Sequence, residues 1–111
     1  MSYTYDERTE ISKDQFLQII AKGVVVPICQ AIVSAAHSIK DYKWLILQYT
    51  LLLEHPDVEV QGVTVSCIGH LSRLNESAKK DELLAILEPL LKREDIAGRV
   101  EDAMEDVNTF L

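Results

Sequence analysis

Apolar residues recur at helical spacing along almost the whole chain, and few residues interrupt them. The 111 residues include four glycines and three prolines, and no Asn-Gly or Asp-Gly pair marks a β-hairpin. Apolar residues make up 48% of the sequence, which is enough to build a core without disulfide or metal crosslinks. We therefore predict one all-α domain over residues 1–111, in which the polar residues 1–11 form a flexible start.

Local signals divide the chain into six helices. Ser12 and Gln15 fit a capping box, and Gly23 stops the first helix. Pro27 suits the first turn of the second helix, which ends near Ser38. The other helices are predicted at about 42–53, 58–74, 79–92 and 96–111, with N-caps Asp41, Asp57 and, for the last, Asp95.

Three finer expectations concern the C-terminal half. Asn75 is predicted to end the fourth helix in a left-handed conformation. Pro89 removes one backbone hydrogen bond from the fifth helix, so we expect a bend there. The spacing of the sixth helix predicts a buried stripe that consists of Ile96, Val100, Ala103, Val107 and Phe110.

An internal repeat organises this half of the chain. Asp57 and Asp95, 38 residues apart, each precede an apolar helix, and a leucine-rich helix comes before each of them. The repeated unit is helix, Asp-containing turn, helix, over about 41–74 and 79–111. Such units bury their apolar faces by stacking, so the period predicts antiparallel hairpins in a short α-solenoid.

The unit resembles the HEAT repeat, whose second helix typically opens with Asp, a hydrophobe and then Arg. Gln61 stands in place of the usual Arg, and Gly98 stands where a hydrophobe is usual. The resemblance implies that the first two helices form a degenerate hairpin and that the second helices line a broad surface suited to a protein or peptide. An ordinary six-helix bundle remains the alternative.

Charge and composition narrow the function classes. Eleven basic and 18 acidic residues give a net charge of −7, which argues against a nucleic-acid partner. The polar N-terminus has no secretory signal, and the longest apolar regions, 23–36 and 44–53, are shorter than the roughly 18 residues of a membrane span. Cys29 and Cys67 lie in apolar helices, where we expect buried, reduced thiols. We predict a cytoplasmic protein without membrane attachment.

The last helix carries the main candidates for a functional surface, which are Glu101, Asp102, Glu105 and Asp106. Residues four apart share a helix face, so these side chains form two acidic ridges. The ridges are open to three interpretations: a solvated helix face, a docking surface for a basic partner, or a divalent metal site. The metal site is the least favoured, because metal ligands usually come from several elements and no histidine accompanies these carboxylates.

No residue constellation predicts catalysis or a cofactor. The sequence has neither a Gly-x-Ser-x-Gly elbow nor a phosphate-binding glycine loop. Cys67 and His70 would supply half of a zinc site, but no second half exists. His55 beside Glu54 is one His–Glu neighbour in reversed order, whereas HEAT-like iron hydroxylases need several pairs. We predict a protein that is not an enzyme and holds neither metal nor cofactor.

Two segments resemble small bacterial HEAT-like immunity proteins, which are encoded beside polymorphic toxins, including those of contact-dependent growth inhibition. The segments are DVEVQGVTVSCIGHLSRL at 57–74 and IAGRVEDAMEDVNTFL at 96–111, and the resemblance spans about residues 41–111. It implies a cytoplasmic protein that binds the C-terminal domain of its cognate toxin and blocks it. The resemblance does not identify the toxin.

The acidic balance is compatible with this function, because nuclease active sites that grip phosphate are electropositive and an acidic inhibitor gains association rate by steering. We expect a basic toxin, such as an RNase, whose active site is covered by an acidic surface with an exposed aromatic anchor. The candidate contacts are Glu101, Asp102, Glu105, Asp106, then Asp57 and Glu59, with Tyr42 or Tyr49 as the anchor. Two classes remain as alternatives: a HEAT-like scaffold or adaptor without a toxin, and a metal-dependent HEAT-like enzyme.

Overall fold

The computed structural model describes residues 5–6 and 9–111, so the prediction of a flexible start at residues 1–4 and 7–8 lies outside the described residues. In the described part of the chain every regular element is helical, which confirms the all-α prediction. A 3-10 turn, Glu88–Lys92, separates the last two α-helices. The α-helices are Lys13–Lys22 (α1), Val25–Ser38 (α2), Tyr42–Leu52 (α3), Val58–Leu74 (α4), Lys80–Leu87 (α5) and Ala97–Phe110 (α6).

The predicted N-caps of α1, α3 and α4 and the predicted glycine stop of α1 are present. Ser12 and Gln15 form the reciprocal capping box of α1, and Gly23 ends the helix with a φ of 74°, a left-handed conformation that glycine adopts without strain. The Asp41 carboxylate accepts from the Trp44 amide, and Asp57 accepts from two amides of α4. These caps satisfy donors that a helix cannot satisfy internally, which is why sequence locates them well.

Two predicted helix ends are wrong. Asp95 caps nothing: α6 begins at Ala97 without a side-chain cap, and Asp95 Oδ2 instead accepts from Arg93 Nη2 at 2.8 Å. Asn75 is extended (φ −124°), not left-handed, and its side-chain amide donates to the carbonyl of Lys40 at 3.3 Å. Asp95 and Asn75 each make a side-chain hydrogen bond to a residue outside the helix that they were predicted to cap or end.

The fifth helix is shorter than predicted. It is α-helical as far as Leu87 and continues as the 3-10 turn that contains Pro89. Proline lacks the amide hydrogen that an α-helix needs at this position, which is consistent with the change of helix type. Phe110 also differs from the prediction, since it is half exposed and does not complete the buried stripe of α6.

The helices form two layers. The second helix of each hairpin, α2, α4 or α6, packs beside the next, with α4 in the centre, while α1, α3 and α5 cover them. The α4 side chains of Asn75 and Ser72 contact the backbone of Lys40, just after α2, and of Asp106, late in α6. The C-terminal ends of the three second helices therefore lie together, so these helices run parallel, as in the predicted stack of hairpins.

The contact between α4 and α6 is the closest in this layer. A Cβ atom placed on Gly69 would lie 2.7 Å from the Cα atom of Ala103, so only glycine allows the two backbones this approach. One turn from the start of α4, the side chain of Arg99 crosses over Gly62, where an added Cβ atom would lie 2.9 Å from Arg99 Cδ. This contact fixes the position of α6, and with it the side of α6 that faces outward.

Candidate functional site

The outward side of α6 carries the four predicted carboxylates. Val100, Ala103 and Val107 are buried on the inward side. With 3.6 residues per turn, the carboxylates cover an arc of roughly 140° on the opposite side. The first three are exposed and the fourth is half-buried, in the order Glu101, Asp102, Glu105 and Asp106.

This acidic face, defined as Glu101, Asp102, Glu105 and Asp106, is not neutralised locally. Residues 100–111 contain no lysine or arginine. None of the four carboxylates is in an ion pair with another described residue. Arg99, the base that precedes them, lies 3.6 Å from Glu59 on α4. The face therefore combines three exposed carboxylates with one half-buried carboxylate of the same charge.

The two predicted ridges of this face point in different directions. The backbone of Asp106 accepts a hydrogen bond from Ser72 on α4, which places the Asp102–Asp106 ridge along the border with α4. Glu101 and Glu105 lie further round the helix, away from α4. A partner that covers the whole acidic face must therefore reach the end of the stack and not only the surface of the second helices.

Asp57 and Glu59 are only partly available to a partner, because the fold already uses them. Asp57 Oδ1 accepts from the amides of Glu59 and Val60 at 2.8 and 3.3 Å. Glu59 Oε1 lies 3.4 Å from the hydroxyl of Tyr5 and 3.6 Å from Arg99 Nη2. Burial, and then the hydrogen bond with Cys29, raises the pKa of the Tyr5 hydroxyl. Glu59 thus joins the N-terminal segment to α6, one turn before Asp102.

The expectation that Tyr42 and Tyr49 are exposed is wrong. They are 5% and 0% exposed, and burial raises the pKa of both hydroxyls. The Tyr49 hydroxyl donates to the carbonyl of Ile32 at 2.7 Å. Both tyrosines share the buried stripe of α3 with Leu45 and Leu52, and the spacing of three, four and three residues was the signal that could have shown this.

Phe110, which sequence reasoning placed in the core, is the aromatic residue that the described structure exposes most clearly. Half of its surface is accessible (50%). It follows Asp106 by four residues and so continues the ridge along α4. Exposed aromatic rings beside charged groups are common anchors at protein interfaces.

Other chemistry finds little support in the geometry. Cys29 and Cys67 are buried thiols that are not joined in a disulfide, and burial raises the pKa of Cys29. Over the described ranges, no three His, Cys, Asp or Glu side chains are grouped so that they could hold a metal ion. Within the same ranges, no helix combines the length and the apolar character that crossing a membrane requires. The main candidate for a functional site is therefore the acidic face of α6.

Comparison with known proteins identifies a shared fold. No protein-family model matches the chain, and no curated protein is significantly similar to it. The chain is similar to a chain in the crystal structure of a CDI complex from Cupriavidus taiwanensis LMG 19424, with a TM-score of 0.88 over 98% of each chain. The two sequences are 22% identical. The similarity therefore shows that the complete helical stack, and not one hairpin, is a known fold.

Proposed function

We propose that this protein is an immunity protein, which binds the toxin domain of a contact-dependent growth inhibition system and neutralises it by covering the active site. The observation that carries the proposal is the full-length likeness to a chain of a CDI complex, where CDI abbreviates contact-dependent growth inhibition. The resemblance of segments 57–74 and 96–111 to immunity proteins points to the same system by a separate route.

The chemistry of the chain suits the inhibitor in such a complex. Both thiols are buried, and burial keeps the thiol of Cys29 protonated by raising its pKa. The acidic face lies on the outer side of a helix and not in a cleft, where paired carboxylates would perform acid–base catalysis. A surface of this kind can bind another macromolecule without reacting with it.

The partner we propose is a basic toxin, and a nuclease fits best. A nuclease site attracts phosphate through positive charge, and carboxylates on a rigid helix offer a similar field. Charges of opposite sign speed the encounter more than they strengthen the final complex. The acidic face would thus guide the toxin onto α6, where Phe110 replaces the buried Tyr42 and Tyr49 as the aromatic contact.

The test begins with the gene beside the coding sequence. The C-terminal domain of a large secreted protein encoded there should co-purify with this chain and lose its toxic activity in the complex. If such a domain neither binds nor is inhibited, the immunity function is wrong, and the scaffold interpretation takes its place.

The role of the acidic face is tested by reversing Glu101, Glu105 and Asp106 to Lys. We expect association with the toxin to slow about tenfold at low salt, with a smaller change in dissociation, because steering acts on the encounter. The matched control reverses the exposed Glu76, Glu88 and Glu94 outside α6, which changes the net charge equally. Equal association rates for the two triple variants would show that only net charge matters and that the face is merely solvated.

A further inference from the structure

The outer side of α3 carries an apolar ridge, defined as Trp44, Leu47 and Leu51. The leucines are 56% and 60% exposed, and the tryptophan is half-buried. The spacing of three and four residues places all three on one side of the helix. Water-exposed leucines in such a row are typical of helices that pack against another helix.

The rest of α3 is already committed to the fold. Its opposite side, with Leu45 and Tyr49 fully buried, packs mainly on α4 and to a lesser extent on α2. The ring of Trp44 meets the edge of Phe16 with 5.4 Å between centroids, and Lys13 Nζ lies 5.4 Å from the same ring. One end of the ridge is therefore held in place, while the two leucines have no apolar cover of their own.

The charges around the ridge indicate what covers it. Lys43 and Glu54 are exposed at opposite ends of the ridge, and neither is in an ion pair with a described residue. Lys43 precedes the midpoint between Leu47 and Leu51 by six residues, and Glu54 follows it by five. The two ends of the ridge thus lie at nearly equal distances from its midpoint and carry opposite charges. When a second copy of the ridge is turned end to end, each positive end meets a negative end.

We infer that α3 is a self-association surface on which a second copy of this chain packs its own α3 in antiparallel orientation. A two-fold axis between Leu47 and Leu51 brings each leucine against the other leucine of the second copy and sets Lys43 opposite Glu54 twice. The inference goes beyond the proposed function and does not depend on it, because α3 and the acidic face of α6 belong to different layers.

The size of the surface predicts a weak dimer. An 11-residue helix is about 17 Å long, so a single helix pair buries less than the roughly 1,200 Å² of a standard interface. Sedimentation velocity over a range of concentrations should therefore show a mass that rises from the 12.5 kDa of one chain towards twice that value. A mass of one chain at every concentration up to about 1 mM would overturn the proposal.

The leucines are tested by the double variant Leu47→Glu/Leu51→Glu, which should remain a single chain at all concentrations. The control is Val24→Glu, a residue as exposed as Leu47 at 56% but located before α2, and this variant should associate like the wild type. Association of the double-leucine variant at wild-type strength would refute the assignment of the surface.

The geometry is tested by charge exchange, which leaves the apolar residues intact and therefore decides the matter even if the leucine variants unfold. Lys43→Glu and Glu54→Lys should each weaken the dimer about fivefold, because each replaces two attractive contacts with repulsive ones. The combined variant should recover wild-type association. In a parallel arrangement Lys43 would face Lys43 of the second copy and Glu54 would face Glu54, so each single variant would exchange one like-charge contact for another and would not weaken the dimer. Single variants that associate at wild-type strength would therefore overturn the antiparallel dimer.

Discussion

The helices α4 and α6 occupy equivalent places in the repeat, yet they differ in nearly every respect that affects stability. α4 is buried on most sides and is capped by the carboxylate of Asp57. α6 is buried along one stripe, has no side-chain cap, and carries the acidic face on its outer side. The central helix is organised for packing, whereas the terminal helix combines a packed side with an open, charged side.

The charged side of α6 works against the helix. Like charges four residues apart, as in Glu101 and Glu105, destabilise a helix by about 0.2–0.5 kcal/mol for each pair. Glu105 and Asp106 also lie towards the C-terminal end, where the helix dipole disfavours negative charge. We expect a surface to lower the stability of its own helix where its residues serve the binding of a partner and not the stability of the fold.

The largest effect we expect from a single substitution is at the contact between the two helices. Gly69→Ala would place a Cβ atom 2.9 Å from the Cβ atom of Ala103 and still closer to its backbone, so α6 must move away. We expect unfolding in urea to show a loss of about 2 kcal/mol, after the helix-propensity gain of alanine.

The matched control for this substitution is Gly98→Ala on α6, where an added Cβ meets nothing within 4 Å. It should stabilise the protein by about 0.5–1 kcal/mol, since alanine favours the helix more than glycine does. If both substitutions stabilise the protein equally, α4 and α6 are not held by a close backbone contact. The description of how these two helices pack would then be wrong.

A smaller effect is expected at the caps. Asp57→Ala removes the acceptor for two amides of α4 and should lower the free energy of unfolding by about 1 kcal/mol, whereas Asp57→Asn should restore most of it. Asp95→Ala, at the equivalent place before α6, should change stability by about 0.3 kcal/mol, because the contact of Asp95 among the described residues is an exposed ion pair with Arg93. Equal losses at both positions would mean that Asp95 caps α6 in solution.

The smallest effect concerns the charged side itself. Glu105→Gln should raise the free energy of unfolding by about 0.3 kcal/mol, because it removes the repulsion with Glu101, and the same variant should bind the toxin more slowly. Glu76→Gln, an exposed residue outside the helices, serves as the control and should change neither quantity. A Glu105→Gln variant that is less stable than wild type would show that the carboxylate supports the fold.

Sequence reasoning succeeded where a residue acts within its own helix and failed where another helix intervenes. Asp57 and Asp95 have the same place in the repeat, and only Asp57 caps. The N-cap position of α6 is Ile96, and Asp95, one residue earlier, accepts instead from Arg93, whose Nη2 also donates to Gln61 on α4 at 2.7 Å. Gln61 stands where HEAT repeats usually have Arg. Gln61, which departs from the repeat pattern, and Asp95, which does not cap α6, are therefore bound to the same residue, Arg93.

The candidate site divides in the same way. The spacing on α6 was sufficient to predict the exposure of Glu101, Asp102 and Glu105, whereas Asp106, whose backbone contacts α4, is half-buried. Tyr49, which was expected on the surface, satisfies its hydroxyl inside the core, and Phe110, which the helical spacing assigned to the core, is half exposed.

By itself the sequence determined the helices, most of their ends, and the acidic composition of the last one, because hydrogen bonds within a turn and the 3.6-residue period act over short range. The tertiary structure alone decided which aromatic side chains meet solvent, how closely α4 and α6 approach, and where Arg93 binds. Those outcomes depend on residues that are distant in the chain and become neighbours only when the hairpins stack, so no local pattern contains them.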